Sequence, residues 1–134
     1  KAIAVQIEAT EGELLKKGSA DAVAVAKRLK AAREAFVDVV NFVAGNTKAS
    51  PNAVFAGSVP YLMLAGNLMA GWQLARALLV AQDELKAGVD AGFMKAKIIT
   101  ARFYADHLLS KAPGIRDSIV DGADSVTAMA LDAF

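Results

Sequence analysis

Cysteine is absent from the sequence. Its absence excludes disulfide scaffolds, thiolate nucleophiles and metal sites built on thiolates, and it fits an intracellular protein, for which we expect a cytoplasmic location. A chain of 134 residues is nevertheless long enough to bury a hydrophobic core without such cross-links. We therefore expect residues 1–134 to form a single domain.

Histidine is almost absent as well, since His107 is the only one. One histidine cannot form a metal site of several histidines, and the hydroxyl of Ser110 lies one helical turn away, which is a poor arrangement for a nucleophile and its base. We therefore interpret His107 as a structural residue on a helix rim, at a contact between helices or domains.

Net charge is low, because 15 basic residues are set against 14 acidic ones. The total gives no indication that nucleic acid or an anionic membrane is the partner. Basic residues do cluster between Lys27 and Arg33, but alanines separate them and Glu34 follows, so a solvated helix face is the simpler interpretation. The glutamates are also interpreted as solvated charges; they are Glu8, Glu11, Glu13, Glu34 and Glu84.

Charge is missing altogether from Ala49 to Ala75. About 20 apolar residues are enough to cross a membrane. This stretch, however, contains Asn67, Gln73 and two prolines, and its middle is rich in Ala and Gly, which contribute little transfer free energy. We therefore predict a central helix that is buried on all sides by its neighbours, rather than a membrane span.

Apolar spacing along the rest of the chain predicts an all-α fold, an antiparallel bundle of four to five helices. The predicted helices run over about 2–17, 20–44, 52–87, 91–111 and 115–132. In the second helix, Val25, Leu29, Phe36 and Val40 belong to one apolar stripe, opposite a charged one. No strand and no glycine-rich phosphate loop is predicted.

Local signals fix the predicted helix ends. Gly18 suits the left-handed position after the first helix, and Ser19 or Asp21 can cap the second. Ser50 and Asp90 are the predicted N-caps of the third and fourth helices. The sequence "APG" (112–114) is predicted to end the fourth helix, and Gly122 to weaken or split the fifth. In the third helix, Pro60 predicts a kink or a short break near Gly57 to Pro60.

The N-terminal sequence "KAIAVQIEAT" begins without methionine and has neither the pattern of a signal peptide nor a clear N-cap. We interpret it as the interior of a longer chain.

Two segments carry a resemblance to a known family. "SVPYLMLAGNLMAGWQLARALLVA" (58–81) and "KAKIITARFYADHLL" (95–109), with the "AP" that follows shortly after, resemble the extreme C-terminal part of bacterial acyl-CoA dehydrogenases, the long members with an additional helical domain. The likeness extends over about 50–134. The first two helices match only in general character.

The resemblance implies a parent flavoenzyme that contains FAD, oxidises acyl-CoA thioesters between the α and β carbons, and passes the electrons onward in fatty acid metabolism. Related chains act on sulfur-containing propionyl thioesters, and one branch is associated with DNA. In this family the catalytic elements belong to the preceding domains. No stretch here matches the region of the family's catalytic glutamate, so we assign no catalytic, cofactor-binding or metal-binding residue.

We expect the chain to act as a structural domain that packs on the upstream dehydrogenase domains or on a neighbouring subunit of a homo-oligomer. The alternative is a helical interaction module that binds nucleic acid or a protein partner. The candidates for interface contacts are Trp72, Arg76, Arg102, Tyr104 and His107. Trp72 and Arg76 are spaced to stack, and Arg102 is spaced to pair with Asp106 on one helix face.

Overall fold

The computed structural model describes residues 2–133 and confirms the all-α fold, without a strand in that range. In chain order the helices are α1 (Ala2–Lys17), α2 (Ala20–Asn46), α3 (Pro51–Ala56), α4 (Ser58–Lys86), α5 (Ala91–His107), α6 (Ala112–Val120) and α7 (Ala123–Val126). Two 3₁₀ turns lie at Leu109–Lys111 and Leu131–Ala133. The long helices α1, α2, α4 and α5 pack as an antiparallel bundle, and α6 lies against α2 and α4.

Gly18, Ser19 and Asp90 occupy helix ends as predicted, whereas Ser50 precedes α3 without the predicted side-chain hydrogen bond to its N-terminus. Gly18 follows α1 with a φ of +67°, a conformation that favours glycine. Ser19 Oγ accepts a hydrogen bond from the backbone N–H of Ala22 at 3.2 Å, at the start of α2. Asp90 accepts one from the backbone N–H of Phe93 at 3.3 Å, at the start of α5. Both N–H groups lack a partner within their own helix.

The predicted third helix is divided at Gly57 into α3 and α4. Pro60 lies in the first turn of α4, where its missing N–H removes no helical hydrogen bond. The predicted kink near Pro60 is therefore not confirmed, whereas the interruption at Gly57 lies in the range where the alternative, a short break, was predicted. A Cβ on Gly57 would lie 2.9 Å from Ile119 Cγ2, so a residue without a side chain allows α6 to approach closely at this point.

The prediction that "APG" (112–114) ends a helix is wrong. Helix α5 already ends at His107, and Ala112 begins α6 with Pro113 in its first turn. Proline is well accommodated there, because it has no N–H to leave unpaired and its fixed φ suits the helix. Gly122 does separate α6 from α7, as predicted. The predicted number of helices, four to five, is not confirmed, because the described residues also form the short helices α3, α6 and α7.

The core lies between the four long helices and continues under α6. Its largest fully buried side chains are Ile7, Leu14, Val25, Leu29, Val39, Leu64, Leu68, Leu78, Leu109 and Ile119. In α2, Val25 and Leu29 are buried as predicted, but Val39 is buried in place of Val40, which is exposed.

The prediction that α4 is buried on all sides is wrong. One side, with Leu64, Leu68 and Leu78, lies in the core. The opposite side is exposed, and Val59 and Leu62 there retain 69% and 72% of their accessible surface. Helix α4 therefore has a buried side and an exposed side, although it contains no charged residue from Ser58 to Ala75.

Candidate functional site

A buried ion pair joins α1 to α2. Glu11 is only 6% exposed. Its carboxylate accepts two hydrogen bonds from the Arg33 guanidinium, Nε to Oε1 at 2.7 Å and Nη2 to Oε2 at 3.0 Å. This two-pronged bond raises the pKa of Arg33 above its usual value. The interpretation of Glu11 as a solvated charge is therefore wrong.

A second ionic cluster joins α2 to α5. Arg102 donates to Asp106 at 2.7 Å, as its spacing predicts, and to Asp21 at 3.1 Å. Arg28 Nε lies 3.5 Å from the other oxygen of Asp106. The hydrogen bond from Arg102 lowers the pKa of Asp106, and the same bond raises the pKa of Arg102. Arg102 thus contacts α2 of its own chain.

The basic stretch of α2 is largely matched by acidic side chains. Arg28 faces Asp106, Arg33 holds Glu11, and Lys30 Nζ lies 3.9 Å from Glu34. Such pairing lowers the positive potential that a nucleic-acid phosphate would meet.

Trp72 lies in the core, with 9% of its surface exposed. Its indole Nε1 donates to Thr10 Oγ1 at 2.9 Å, and Thr10 in turn donates to the carbonyl of Gln6 at 3.2 Å. Arg76 lies over the indole ring, 5.6 Å from its centroid, and is itself exposed. Trp72 therefore joins α4 to α1, whereas Arg76 is available at the surface.

Tyr104 and His107 also divide between interior and surface. The Tyr104 hydroxyl donates to the carbonyl of Asn67 at 3.2 Å, which joins α5 to α4, and burial raises its pKa. His107 is exposed, and its ring lies 4.5 Å from that of Phe103, centroid to centroid. The structure therefore does not gather the five interface candidates into one patch.

The described residues do not fit the FAD that the resemblance implies. Three grooves on their surface are open to solvent, with volumes of 280, 220 and 400 Å³. Ser19 and Asp90 of the chain itself occupy two helix starts that could otherwise face a pyrophosphate. Within residues 2–133 no buried side-chain polar atom lacks a partner, and no cluster of acidic or histidine side chains is placed to hold a metal ion.

Part of the described surface exposes large apolar side chains to solvent. It comprises the outward stripes of α4 and α5, and we call it the α4–α5 face: Val59, Leu62, Met63, Gly66, Ala70, Ile99 and Phe103. The hydrogen bond from the Tyr104 hydroxyl to the carbonyl of Asn67 holds α5 against α4 close to these residues. Among the described helices, none combines the length and hydropathy that crossing a membrane requires.

The described residues therefore form an all-helical domain whose buried polar side chains have partners and whose α4–α5 face is apolar and exposed. The comparisons with known proteins identify the family of this domain. Residues 3–130 match the family described as "Acetyl-CoA dehydrogenase C-terminal like", and the chain belongs to that family.

A curated relative extends the match. The chain is 44% identical over 128 residues to a protein of Ruegeria pomeroyi named 3-methylmercaptopropionyl-CoA dehydrogenase. The matched segment covers 96% of this chain but only 22% of the relative.

Sequence reasoning missed two features of the candidate site, and one of them left a signal. Ile7, Glu11 and Leu14 are spaced by four and three residues, so Glu11 lies on the buried stripe of α1. That spacing indicates burial of Glu11. The exposed side of α4 left no such signal, because apolar and small residues surround the helix.

Proposed function

We propose that the chain is the C-terminal packing domain of an FAD-dependent acyl-CoA dehydrogenase. The parent enzyme oxidises acyl-CoA thioesters between the α and β carbons, and this domain stabilises it without taking part in the chemistry. The observation that supports the proposal most is the family match over residues 3–130, together with a relative of which the matched segment is only 22%.

The chemistry of the parent reaction requires groups that the described residues do not supply. A carboxylate base must face the substrate α-carbon, a flavin must lie against the β-carbon, and donors must polarise the thioester carbonyl. Glu11 is the buried glutamate, and its carboxylate is bound to Arg33. A base held by a guanidinium in this way is poorly placed to take a proton from a substrate.

For the substrate we propose only the shared class, an acyl-CoA thioester. The name of the Ruegeria pomeroyi relative specifies a 3-methylmercaptopropionyl group for that protein. The three grooves on the described residues are open to solvent, so they give no basis for choosing one acyl chain over another. A cytoplasmic location and a homo-oligomeric parent enzyme complete the proposal.

The alternative, a module that binds nucleic acid, has less support. Its best candidate surface is the basic stretch of α2, where Arg28 and Arg33 are already paired with carboxylates. A phosphate backbone would have to displace those partners, at a cost in free energy.

The test compares this chain with the full-length dehydrogenase that carries it. The purified chain should be colourless, should not quench or shift the spectrum of added FAD, and should not oxidise acyl-CoA with an artificial electron acceptor. The full-length protein should contain flavin and oxidise acyl-CoA. Dehydrogenase activity in the 134-residue chain, or salt-sensitive binding to DNA, would overturn the proposal.

A further inference from the structure

We infer that the α4–α5 face is the surface by which this domain docks on the dehydrogenase body of its own full-length chain. The inference rests on the proposed function and adds which face of the domain makes the contact. It also separates this face from the five residues that the sequence indicated, most of which contact other helices of the same chain.

The first support is the repeated exposure of apolar side chains along one side of α4 and on α5, which packs against it. On α4, Val59, Leu62 and Met63 are exposed, and on α5, Ile99 and Phe103 are exposed to 67% and 59%. Single exposed apolar side chains are common on proteins, but the exposed members of the face on α4, from Val59 to Ala70, recur with helical spacing on one side of that helix. An apolar stripe that faces outward in this way indicates an interaction site. Between Ile99 and the end of α5 the outward positions contain no Asp, Glu, Lys or Arg.

The second support is the contrast with the other outward surface of the bundle. The exposed positions in the middle of α2 are charged: Lys27, Lys30, Glu34 and Asp38. On α4 the exposed positions from Ser58 to Gln73 contain no charge. Helices that face water on their outer side show the first pattern, and helices that contact protein on that side show the second.

The third support is the small size of the α4–α5 face, which suits a partner on the same polypeptide. A stable interface between two free proteins uses about 20–30 residues on each side, which is more than the α4–α5 face provides. A partner on the same polypeptide needs less surface, because the tether holds it at an effective concentration of about millimolar. The relative supplies such a partner, since the matched segment is 22% of its length.

Single cysteines provide a direct test, because this chain has none of its own. Leu62→Cys and Ile99→Cys place a thiol on the face, and Lys27→Cys and Lys30→Cys are matched controls on the outer surface of α2. Each variant is prepared in this chain and in the full-length dehydrogenase. The rate of alkylation is followed by mass spectrometry of the peptide that contains the new cysteine.

In this chain all four thiols should react rapidly, because all four positions are exposed. In the full-length protein the thiols at 62 and 99 should react at least about tenfold more slowly, while those at 27 and 30 keep their rates. Equal rates at 62 and 99 in both proteins would overturn the inference. So would slow, concentration-dependent labelling in this chain alone, since that would identify a second copy as the occupant.

The flavin content of the same full-length preparation distinguishes the two proposals. A full-length protein that contains flavin and oxidises acyl-CoA, but labels rapidly at 62 and 99, leaves the proposed function standing and removes only the docking face. A full-length protein without flavin or dehydrogenase activity removes the proposed function itself.

Discussion

Glu11 and Arg33 show how a pair of charges can be retained in a helical core. Taking either charge out of water is costly, and the cost is recovered only when the geometry is good and the remaining polar atoms are satisfied. Here both carboxylate oxygens accept from the guanidinium, at 2.7 and 3.0 Å. The effect of replacing either residue on the free energy of unfolding therefore depends on whether the other is present.

Replacing Arg33 alone should be costly. Arg33→Met leaves the buried carboxylate of Glu11 without its partner, so we expect the free energy of unfolding to fall by about 3–5 kcal/mol. Urea denaturation followed by circular dichroism measures the change.

Two further variants control for loss of charge and of side-chain volume. The double variant Glu11→Met with Arg33→Met should be near the unaltered chain in stability or above it, because apolar side chains of similar size replace both charges. Lys30→Met breaks the exposed pair with Glu34 and should change stability by less than about 1 kcal/mol. A loss at Arg33 no larger than that at Lys30 would contradict the assignment of a buried pair.

Thr10 provides the hydrogen-bond partner of a buried neutral group, the indole N–H of Trp72. Its hydroxyl accepts from that N–H and donates to the Gln6 carbonyl. Thr10→Val keeps the shape but leaves the buried indole N–H unpaired, so a loss of about 1–3 kcal/mol is expected. Thermal unfolding provides the comparison. Thr100→Val, at an exposed hydroxyl on α5, should shift stability by less than about 0.5 kcal/mol.

Helix α4 packs against α1, α2, α5 and α6, and its glycines have different functions. A Cβ on Gly71 would lie 2.6–2.8 Å from three carbons of the Leu109 side chain, which is itself buried. A Cβ on Gly66 would meet nothing within 4 Å. The first glycine allows close packing, and the second only weakens the helix.

Replacement by alanine should therefore change the free energy of unfolding in opposite directions at Gly66 and Gly71. Gly66→Ala should stabilise this chain by up to about 1 kcal/mol through helix propensity. Gly71→Ala gains the same propensity but forces Leu109 aside, and overpacking of this kind costs about 1–3 kcal/mol, so a net loss is expected. Melting temperatures of the two variants decide the matter, and an equal gain at both positions would show that Gly71 is not tightly packed.

The attachment of α5 to α2 should depend on pH through Asp106. The hydrogen bond from Arg102 lowers its folded pKa below the usual value of 3.8. A carboxyl with a lowered folded pKa contributes stability that is complete above its unfolded pKa and is lost as the pH falls through the folded pKa. We therefore expect the contribution of Asp106 to be present at neutral pH and to disappear below about pH 4, as the carboxyl becomes protonated.

Asp106→Asn isolates this contribution. The variant should be less stable than the unaltered chain at pH 7, and the difference should shrink as the pH falls through the acid range. Urea denaturation at several pH values measures both curves. A difference that is the same at pH 7 and at the acid end would show that the carboxylate charge of Asp106 contributes nothing.

Much of the element level could be predicted from the sequence, because helix ends depend on local chemistry. Gly18, Ser19 and Asp90 act at the ends of helices where their side chains predict them. Proline was the main source of error. Proline is compatible both with the end of one helix and with the first turn of the next. Which of the two forms at Pro113 depends on tertiary packing, in which Leu109 lies against Gly71 of α4 and Ile119 lies against Gly57.

At the scale of the whole molecule, the sequence predicted the class of fold but not which side of α4 is exposed. Apolar and small residues surround that helix, so its periodicity does not distinguish a core side from a docking side. Residue type also did not show which interface candidates contact other helices of the same chain. Trp72 and Tyr104 are types enriched at interfaces, yet their polar atoms find partners inside the chain, at Thr10 and Asn67.

We propose that this domain stabilises a dehydrogenase body without taking part in its chemistry. The most direct measurement is the thermal unfolding of the full-length dehydrogenase with and without residues 1–134, followed by the release of bound flavin. We predict that removing the domain lowers the melting temperature or alters the assembly of subunits while the remaining chain still binds FAD. An unchanged melting temperature together with unchanged assembly would contradict the account.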